Sequence, residues 1–226
     1  MGIKNNIEKF QRELEPFGAR LIAVSKTHSV EKIKEAYETG QRIFGENKVQ
    51  EMTEKQLLLP ADIQWHLIGH LQRNKVKYVA PFVSLIHAVD SQKLLEEIDK
   101  HGQKQGRVIQ CLLQIYIAAE ETKFGMNVME LEQLITSSET ASYRFVRIEG
   151  LMGMATLTEN EVRIRAEFRS LRKTFDTLKQ QTLPPHIQMN ELSMGMSSDY
   201  KIALEEGSTM VRIGTAIFGE RPSNSE

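Results

Sequence analysis

Cysteine occurs once in these 226 residues, at Cys111, which rules out an intrachain disulfide framework. It stands in the apolar run VIQCLLQIYI and reads as a small buried hydrophobe. No stretch of 18 apolar residues occurs, so no transmembrane helix is expected. Excess charge of one sign is missing as well: 29 Lys and Arg against 30 Asp and Glu leave a formal net charge of -1. That balance offers no whole-molecule attraction to nucleic acid or to an acidic membrane, and neither is expected as a partner. The opening MGIKNNIEKFQRELEPFG is polar and amphipathic, unlike a signal peptide. Asn6 also stands where a myristoylation signal requires Ser or Thr. These absences together point to a cytoplasmic protein.

Linkers rich in Pro, Gly or Ser, internal repeats and low-complexity tracts are absent too, so residues 1–226 are expected to form one domain. What is present is alternation. After a helix predicted over 2–15, strands are expected at 20–25, around Ile43 and Phe44, and at 63–69, 84–89, 107–117, 145–152, 187–192 and 209–213. Each is followed by a helix or helical turn; the longest, 159–181, carries Ile164, Phe168, Leu171, Phe175 and Leu178 on one stripe. Eight such units imply a parallel sheet and a small (β/α)8 TIM barrel with an extra N-terminal helix, an open doubly wound sheet being the alternative.

A parallel barrel gathers its active residues where the strands end. The first strand ends in Ser25-Lys26-Thr27 and the second in Gly45-Glu46-Asn47. The third and fourth bring His66, His70 and His87. The seventh leads into Ser193-Met194-Gly195-Met196-Ser197-Ser198-Asp199, and the eighth ends in Arg212-Ile213-Gly214-Thr215. Barrels of this kind hold phosphate at the loops after strands seven and eight. Here both loops combine glycine, which admits backbone N–H groups, with hydroxyl donors. Ordinary helix capping by Ser198 and a tight turn at Gly214 are the plainer uses of the same residues. His66 and His70 show an H-x3-H spacing, but Gly69 intervenes and no carboxylate or cysteine set accompanies them, so no metal is expected.

Lys26 follows a strand that is apolar up to Ser25. A lysine among apolar groups at a barrel mouth is expected to have its pKa lowered, and the neutral amine is the form that attacks an aldehyde. A surface lysine beside a helix start is the plainer reading. A reactive lysine facing a phosphate site suggests pyridoxal phosphate (PLP); a Schiff base with a sugar phosphate is the competing use.

The stretches AVSKTH, FGENKVQE, WHLIGHLQRNK, HAVDS, GLMGMA and ELSMGMSSDYKIALEEGSTMVRIGTAIFGER resemble the pyridoxal phosphate homeostasis protein family from about residue 20 to 221. That family in turn is similar to the barrel domain of alanine racemase. The resemblance implies PLP as cofactor, held as a Schiff base on Lys26. It implies Arg212 facing the pyridine nitrogen, Asn47 beside the cofactor, and Ser197, Gly214 and Thr215 around the phosphate. Lys75 and Lys123 match family stretches without an assigned role. A guanidinium stays charged and cannot share a proton with the ring, which makes the ring a poorer electron sink. Related racemases draw a further acid/base group from an additional β-domain and a partner subunit, and this chain ends at residue 226 without such a domain. The expected function is therefore a PLP carrier in intracellular PLP homeostasis, monomeric and without strong catalysis, with PLP-dependent apo-enzymes as candidate recipients. A PLP-dependent racemase or decarboxylase is the alternative.

Overall fold

The structure, a computed structural model, describes residues 2–118 and 125–220. Eight parallel strands close into a barrel in sequence order: β1 (Arg20–Val24), β2 (Ile43–Glu46), β3 (Gln64–Leu67), β4 (Leu85–Val89), β5 (Ile109–Gln114), β6 (Val146–Met152), β7 (Ile187–Met196) and β8 (Met210–Ile213). β8 pairs with β1 from Arg20↔Met210 to Ala23↔Ile213, which seals the cylinder. The TIM-barrel expectation holds, and the open sheet is excluded by that closure.

The helices are α1 (Ile3–Leu14), α2 (Val30–Glu38), α3 (Val49–Leu58), α4 (Val76–Val79), α5 (Gln92–Gln105), α6 (Val128–Thr136), α7 (Ser138–Ser142), α8 (Glu161–Lys179), α9 (Tyr200–Glu205) and α10 (Thr215–Phe218). None among the described residues is long and apolar enough to cross a membrane. The helical stripes bury as their spacing requires: Ile164, Phe168, Leu171, Phe175 and Leu178 of α8 all lie against the sheet. Burying a side chain the size of Phe168 contributes about 1.5–3 kcal/mol.

Two cores result from the alternation of strand side chains. The larger lies between sheet and helices. The smaller, formed by Ile22, Leu85, Ala88, Leu112, Met152 and Met210, fills the barrel interior. α1 packs on the outside near the last turn of the chain: Asn6 Nδ2 donates to the Ile217 carbonyl at 3.0 Å, and Tyr200 Oη donates to Glu13 Oε2 at 2.6 Å. The extra N-terminal helix thus braces α9 and α10, the two elements that follow the glycine- and hydroxyl-bearing loops.

Two boundaries differ from the sequence reading in ways that matter. β7 continues four residues beyond 192, to Met196. Its end, Ser193-Met194-Gly195-Met196, lacks the β-branched and aromatic residues that mark a strand, and its register against β8 shifts between Ser193 and Met196. Ser193 therefore belongs to the barrel wall and not to a loop. The predicted 107–117 strand is shorter, Ile109–Gln114, with an isolated bridge from Ile115 to Met126.

A glycine is obligatory at one position in this wall. Gly150 in β6 has φ +152°, and a Cβ there would sit 1.8 Å from the Glu191 carbonyl oxygen. The β6–β7 register slips at that point, between Ile148 and Gly150.

Candidate functional site

One cavity of about 320 Å³ opens at the C-terminal mouth of the barrel. It is lined by Val24, Lys26, Asn47, Ile68, Met154, Met196, Ser197, Ser198, Arg212, Gly214 and Thr215. All six residues singled out from the sequence, Lys26, Asn47, Ser197, Arg212, Gly214 and Thr215, meet there. They come from the ends of β1, β2, β7 and β8, which the closed sheet sets side by side.

Lys26 is half-buried and occupies the second position of a tight turn, in which the His28 N–H donates to the Ser25 carbonyl at 3.1 Å. Asn47 follows β2, and its position is set by a close backbone approach. A Cβ on Gly69 would lie 2.4 Å from the Asn47 carbonyl oxygen, so a larger residue there would push Asn47.

The hydroxyls of Ser197 and Ser198 are exposed on the loop between β7 and α9. Capping by Ser198 is not observed; the N-cap of α9 is Asp199. Asp199 instead ties the loop into a turn: its Oδ1 accepts from the Met196 N–H at 2.6 Å, and its own N–H donates to the Met196 carbonyl at 3.1 Å. Burial pushes the Asp199 carboxyl up, while the Met196 N–H and nearby Arg212 draw it down. Thr215 opens α10, where the first N–H groups of a helix have no partner within the helix.

Arg212 lies at the floor of the cavity, 5% exposed. Its Nη1 donates to the Ser193 carbonyl at 3.0 Å and to Ser193 Oγ at 2.6 Å, and its Nη2 donates to the Gly153 carbonyl at 3.1 Å. Burial pulls the guanidinium down to about 10, which leaves it a cation at neutral pH. Ser193 Oγ is also 3.0 Å from His87 Nδ1, and His87 Nε2 is 3.0 Å from His66 Nδ1. A string of polar groups therefore runs down the barrel axis from Arg212 to His66, which lines a second cavity of about 230 Å³ at the opposite mouth, with Arg20, Glu149 and Glu191. Burial depresses His66 to about 3 and holds His87 well below the usual imidazole range. Both rings are neutral at physiological pH. A consistent arrangement has Ser193 O–H donating to His87 Nδ1 and His87 Nε2–H donating to His66 Nδ1.

The sequence reading set His66 and His87 at strand ends. They lie in mid-strand, inside the barrel wall. His70 is exposed beside Asp90, 3.4 Å away. The two histidines of the H-x3-H spacing thus do not share a site. Lys75 lines a separate groove of about 360 Å³ with Val49, Gln50, Thr53, Glu54 and Tyr78, none of which lines the barrel-mouth cavity. Lys123 lies outside the described residues. Ser193, His87 and Asp199 went unassigned in the sequence. The only signal for Ser193 and His87 is that a polar residue falls where strand alternation turns inward, which requires the strand limits to be known first.

The chemistry available is that of an amine in one cavity with hydroxyls and a guanidinium. The cavity volume is at the lower end of small-molecule sites, about 300–1,000 Å³. One wall offers hydroxyls and a cation, the other the single amine. That donor set suits a small anionic aldehyde such as PLP: hydroxyl and backbone donors for the phosphate, an amine for the carbonyl carbon.

The family described as alanine racemase, N-terminal domain, matches residues 2–222. A pyridoxal phosphate homeostasis protein of Aquifex aeolicus is 40% identical over 221 residues, 95% of each chain. PipY of Synechococcus elongatus, solved with PLP bound, is 38% identical with a TM-score of 0.85, covering 96% of this chain and 100% of that one. Alanine racemase of Bartonella henselae, solved with covalently bound pyridoxal phosphate, is 16% identical with a TM-score of 0.72. This likeness concerns the fold alone, and this chain covers 60% of that one.

Proposed function

The chain belongs to the pyridoxal phosphate homeostasis protein family, and from that premise we propose that it binds PLP as a Schiff base on Lys26 and serves as a non-catalytic PLP carrier in cellular PLP homeostasis. The observation that carries the reading is the convergence of Lys26, Asn47, Ser197, Arg212, Gly214 and Thr215 on one cavity. PLP bound to PipY, at 38% identity, supports the choice of ligand.

In this reading Ser197, Gly214 and Thr215 hold the phosphate through hydroxyl and N–H donors, and Asn47 borders the ring. PLP, when bound, would supply an aldehyde carbon, and Lys26 is the amine lining the cavity that would hold it. Arg212 presents N–H donors to the floor of the cavity. A charged guanidinium cannot accept a proton and disfavours a second cation beside it. A ring nitrogen placed against Arg212 therefore stays unprotonated, and the ring withdraws electrons weakly.

The limited catalysis has a second support. Lys26 and Arg212 are the ionisable side chains among the described residues lining the cavity. Racemisation requires a proton donor and acceptor on opposite faces of the substrate, and Arg212, held in three hydrogen bonds, serves neither role. The carrier reading extends to a monomeric state, checked by light scattering of the purified protein.

The test is the visible spectrum. The purified protein with added PLP is expected to be yellow, with the absorbance of a lysine-bound Schiff base lost in Lys26→Ala. A wild-type protein that stays colourless and takes up no PLP overturns the proposal. Incubation with single amino acids followed by chiral analysis separates the carrier from a racemase; turnover on the order of 1 s⁻¹ or more would establish the enzyme instead.

A further inference from the structure

Directly behind Lys26, on the outer side of the sheet, lies a charged cluster that the binding site does not use. Lys55 of α3 is buried, and its Nζ donates to three oxygens: the Ser25 carbonyl at 2.8 Å, Glu46 Oε1 at 2.8 Å and Glu51 Oε1 at 2.6 Å. An ammonium has three protons, and here each has an acceptor. Glu46 is fully buried, and its Oε1 also accepts from Ser25 Oγ at 2.6 Å. Glu51 Oε1 also accepts from the Thr27 N–H at 2.6 Å. The residues on both sides of Lys26 are therefore gripped by one cluster, which reaches them from β2 and α3.

The grip coincides with strain. Thr27 has φ +66°, and among the described residues it is the single non-glycine residue with positive φ. It is the third residue of the Ser25–His28 turn, where turns with a positive φ ordinarily take Gly or Asn. A β-branched residue in the left-handed region persists only where its surroundings hold it, and such outliers collect at functional positions. The turn is also held at its far end, where the buried His28 ring stacks on Phe218, with centroids 5.0 Å apart.

Burying an ammonium and a carboxylate, with a second carboxylate half-buried, is a poor way to gain stability, because desolvation offsets most of their attraction. Burial pushes the Glu46 carboxyl up, helped by the nearby Glu51 charge and opposed by Lys55 and Ser25. An apolar residue at position 55 would pack against the sheet without that penalty. The cluster is better explained by the geometry it enforces.

We propose that Glu46, Glu51 and Lys55 are positioning residues for Lys26: they hold the Ser25–Thr27 turn in its strained form and so aim the Lys26 amine into the barrel-mouth cavity. The assignment rests on the reading of Lys26 as the PLP tether. The three residues touch neither the cavity nor its ligand; they act through the backbone on either side of Lys26.

Glu51→Ala is the informative variant, since Glu51 is only half-buried and alanine is a good helix former. Two readouts are needed. In ligand-free protein, trace acetylation with acetic anhydride and peptide mass spectrometry gives the reactivity of Lys26 relative to exposed Lys104. With added PLP, borohydride reduction and mass spectrometry give the half-saturation of labelling at Lys26. Glu51→Ala is expected to raise that half-saturation about tenfold, the factor that one misplaced left-handed residue is worth, and to alter the Lys26 acetylation ratio. Glu51→Gln, which keeps an oxygen for the Thr27 N–H, should stay near wild type. Thr27→Gly in the Glu51→Ala background should recover most of the loss, because glycine adopts positive φ without strain. Phe175→Leu on distant α8, which lowers Tm without touching the turn, should move neither readout.

Wild-type half-saturation and acetylation in Glu51→Ala would overturn the clamp. Effects in Phe175→Leu equal to those in Glu51→Ala would reduce it to general stability and also overturn it. Failure of the tether reading looks different: wild-type protein would carry no borohydride-trapped label at Lys26, while the acetylation ratio would still report on the clamp.

Discussion

Lowering the pH from 7.5 to 5 should remove more stability from this barrel than its carboxylates alone explain. His66 is held neutral in the core, with a pKa pulled from 6.5 to about 3 by burial. In the unfolded chain the same ring binds a proton near pH 6.5. Between those values the unfolded state carries more protons than the folded one, so stability is complete above about pH 6.5 and is lost as the pH falls toward 3. The limiting slope is about 1.4 kcal/mol per pH unit for one ring. Integrated from pH 7.5 to 5, it amounts to about 2 kcal/mol for His66. His87 is depressed in the same direction by burial, with further opposition from His66 and Arg212. Its loss adds to that of His66, which by itself is a sizeable part of a typical folding free energy of about 5–15 kcal/mol. The assay is urea unfolding of the wild type and of His66→Leu/His87→Leu at pH 7.5, 6 and 5. Leucine suits an interior already lined by Ile22, Leu85 and Leu112; both partners of the His66–His87 bond are replaced, and the Ser193 hydroxyl, which loses His87, still accepts from Arg212. The variant keeps every carboxylate, so the difference between the two proteins isolates the imidazoles. Wild type should lose at least about 2 kcal/mol more than the variant over this range. Equal losses would refute the buried neutral pair.

Three further outcomes follow from the geometry. Gly69→Ala forces the Asn47 backbone away from the barrel mouth, because the new Cβ would meet the Asn47 carbonyl at 2.4 Å; PLP affinity should fall by about tenfold or more, equivalent to ~1.4 kcal/mol, in equilibrium titration. Gly150→Ala places a Cβ 1.8 Å from the Glu191 carbonyl and should cost more than about 4 kcal/mol, read as loss of soluble folded protein by circular dichroism. Cys111 is fully buried and its thiol is pushed up by burial; it should react with Ellman's reagent only when the protein is unfolded, and rapid reaction of the native protein would contradict its place behind the sheet.

Much of the barrel was legible in advance because its helices and strands are locally written. The stripe on α8 and the apolar runs at 20–25 and 84–89 carry their periods in a few consecutive residues. The six cavity residues were picked out by the family resemblance, and all of them stand at strand ends. In a parallel barrel every strand end faces the same way, so a list of strand ends is already a list of neighbours. Reading failed where polarity and structure part company. The end of β7 is strand although it is built of Ser, Met and Gly, because hydrogen bonding to β6 and β8 overrides its weak propensity. His66 and His87 were read as mouth residues because a polar side chain after an apolar run looks like the end of that run.

The sequence by itself determined the order of strands and helices and placed Lys26 and the hydroxyl- and glycine-bearing loops at strand ends, since these depend on local pattern and on residue chemistry. Tertiary structure alone decided which polar groups meet. Arg212, Ser193, His87 and His66 are up to 146 positions apart yet form one string inside the barrel. Lys55 reaches back 30 residues to the Ser25 carbonyl from a helix face that spacing alone marks as ordinary. The reason is physical: a hydrogen bond is fixed within a few tenths of an ångström, and the register and closure that bring its partners together are summed over the whole sheet.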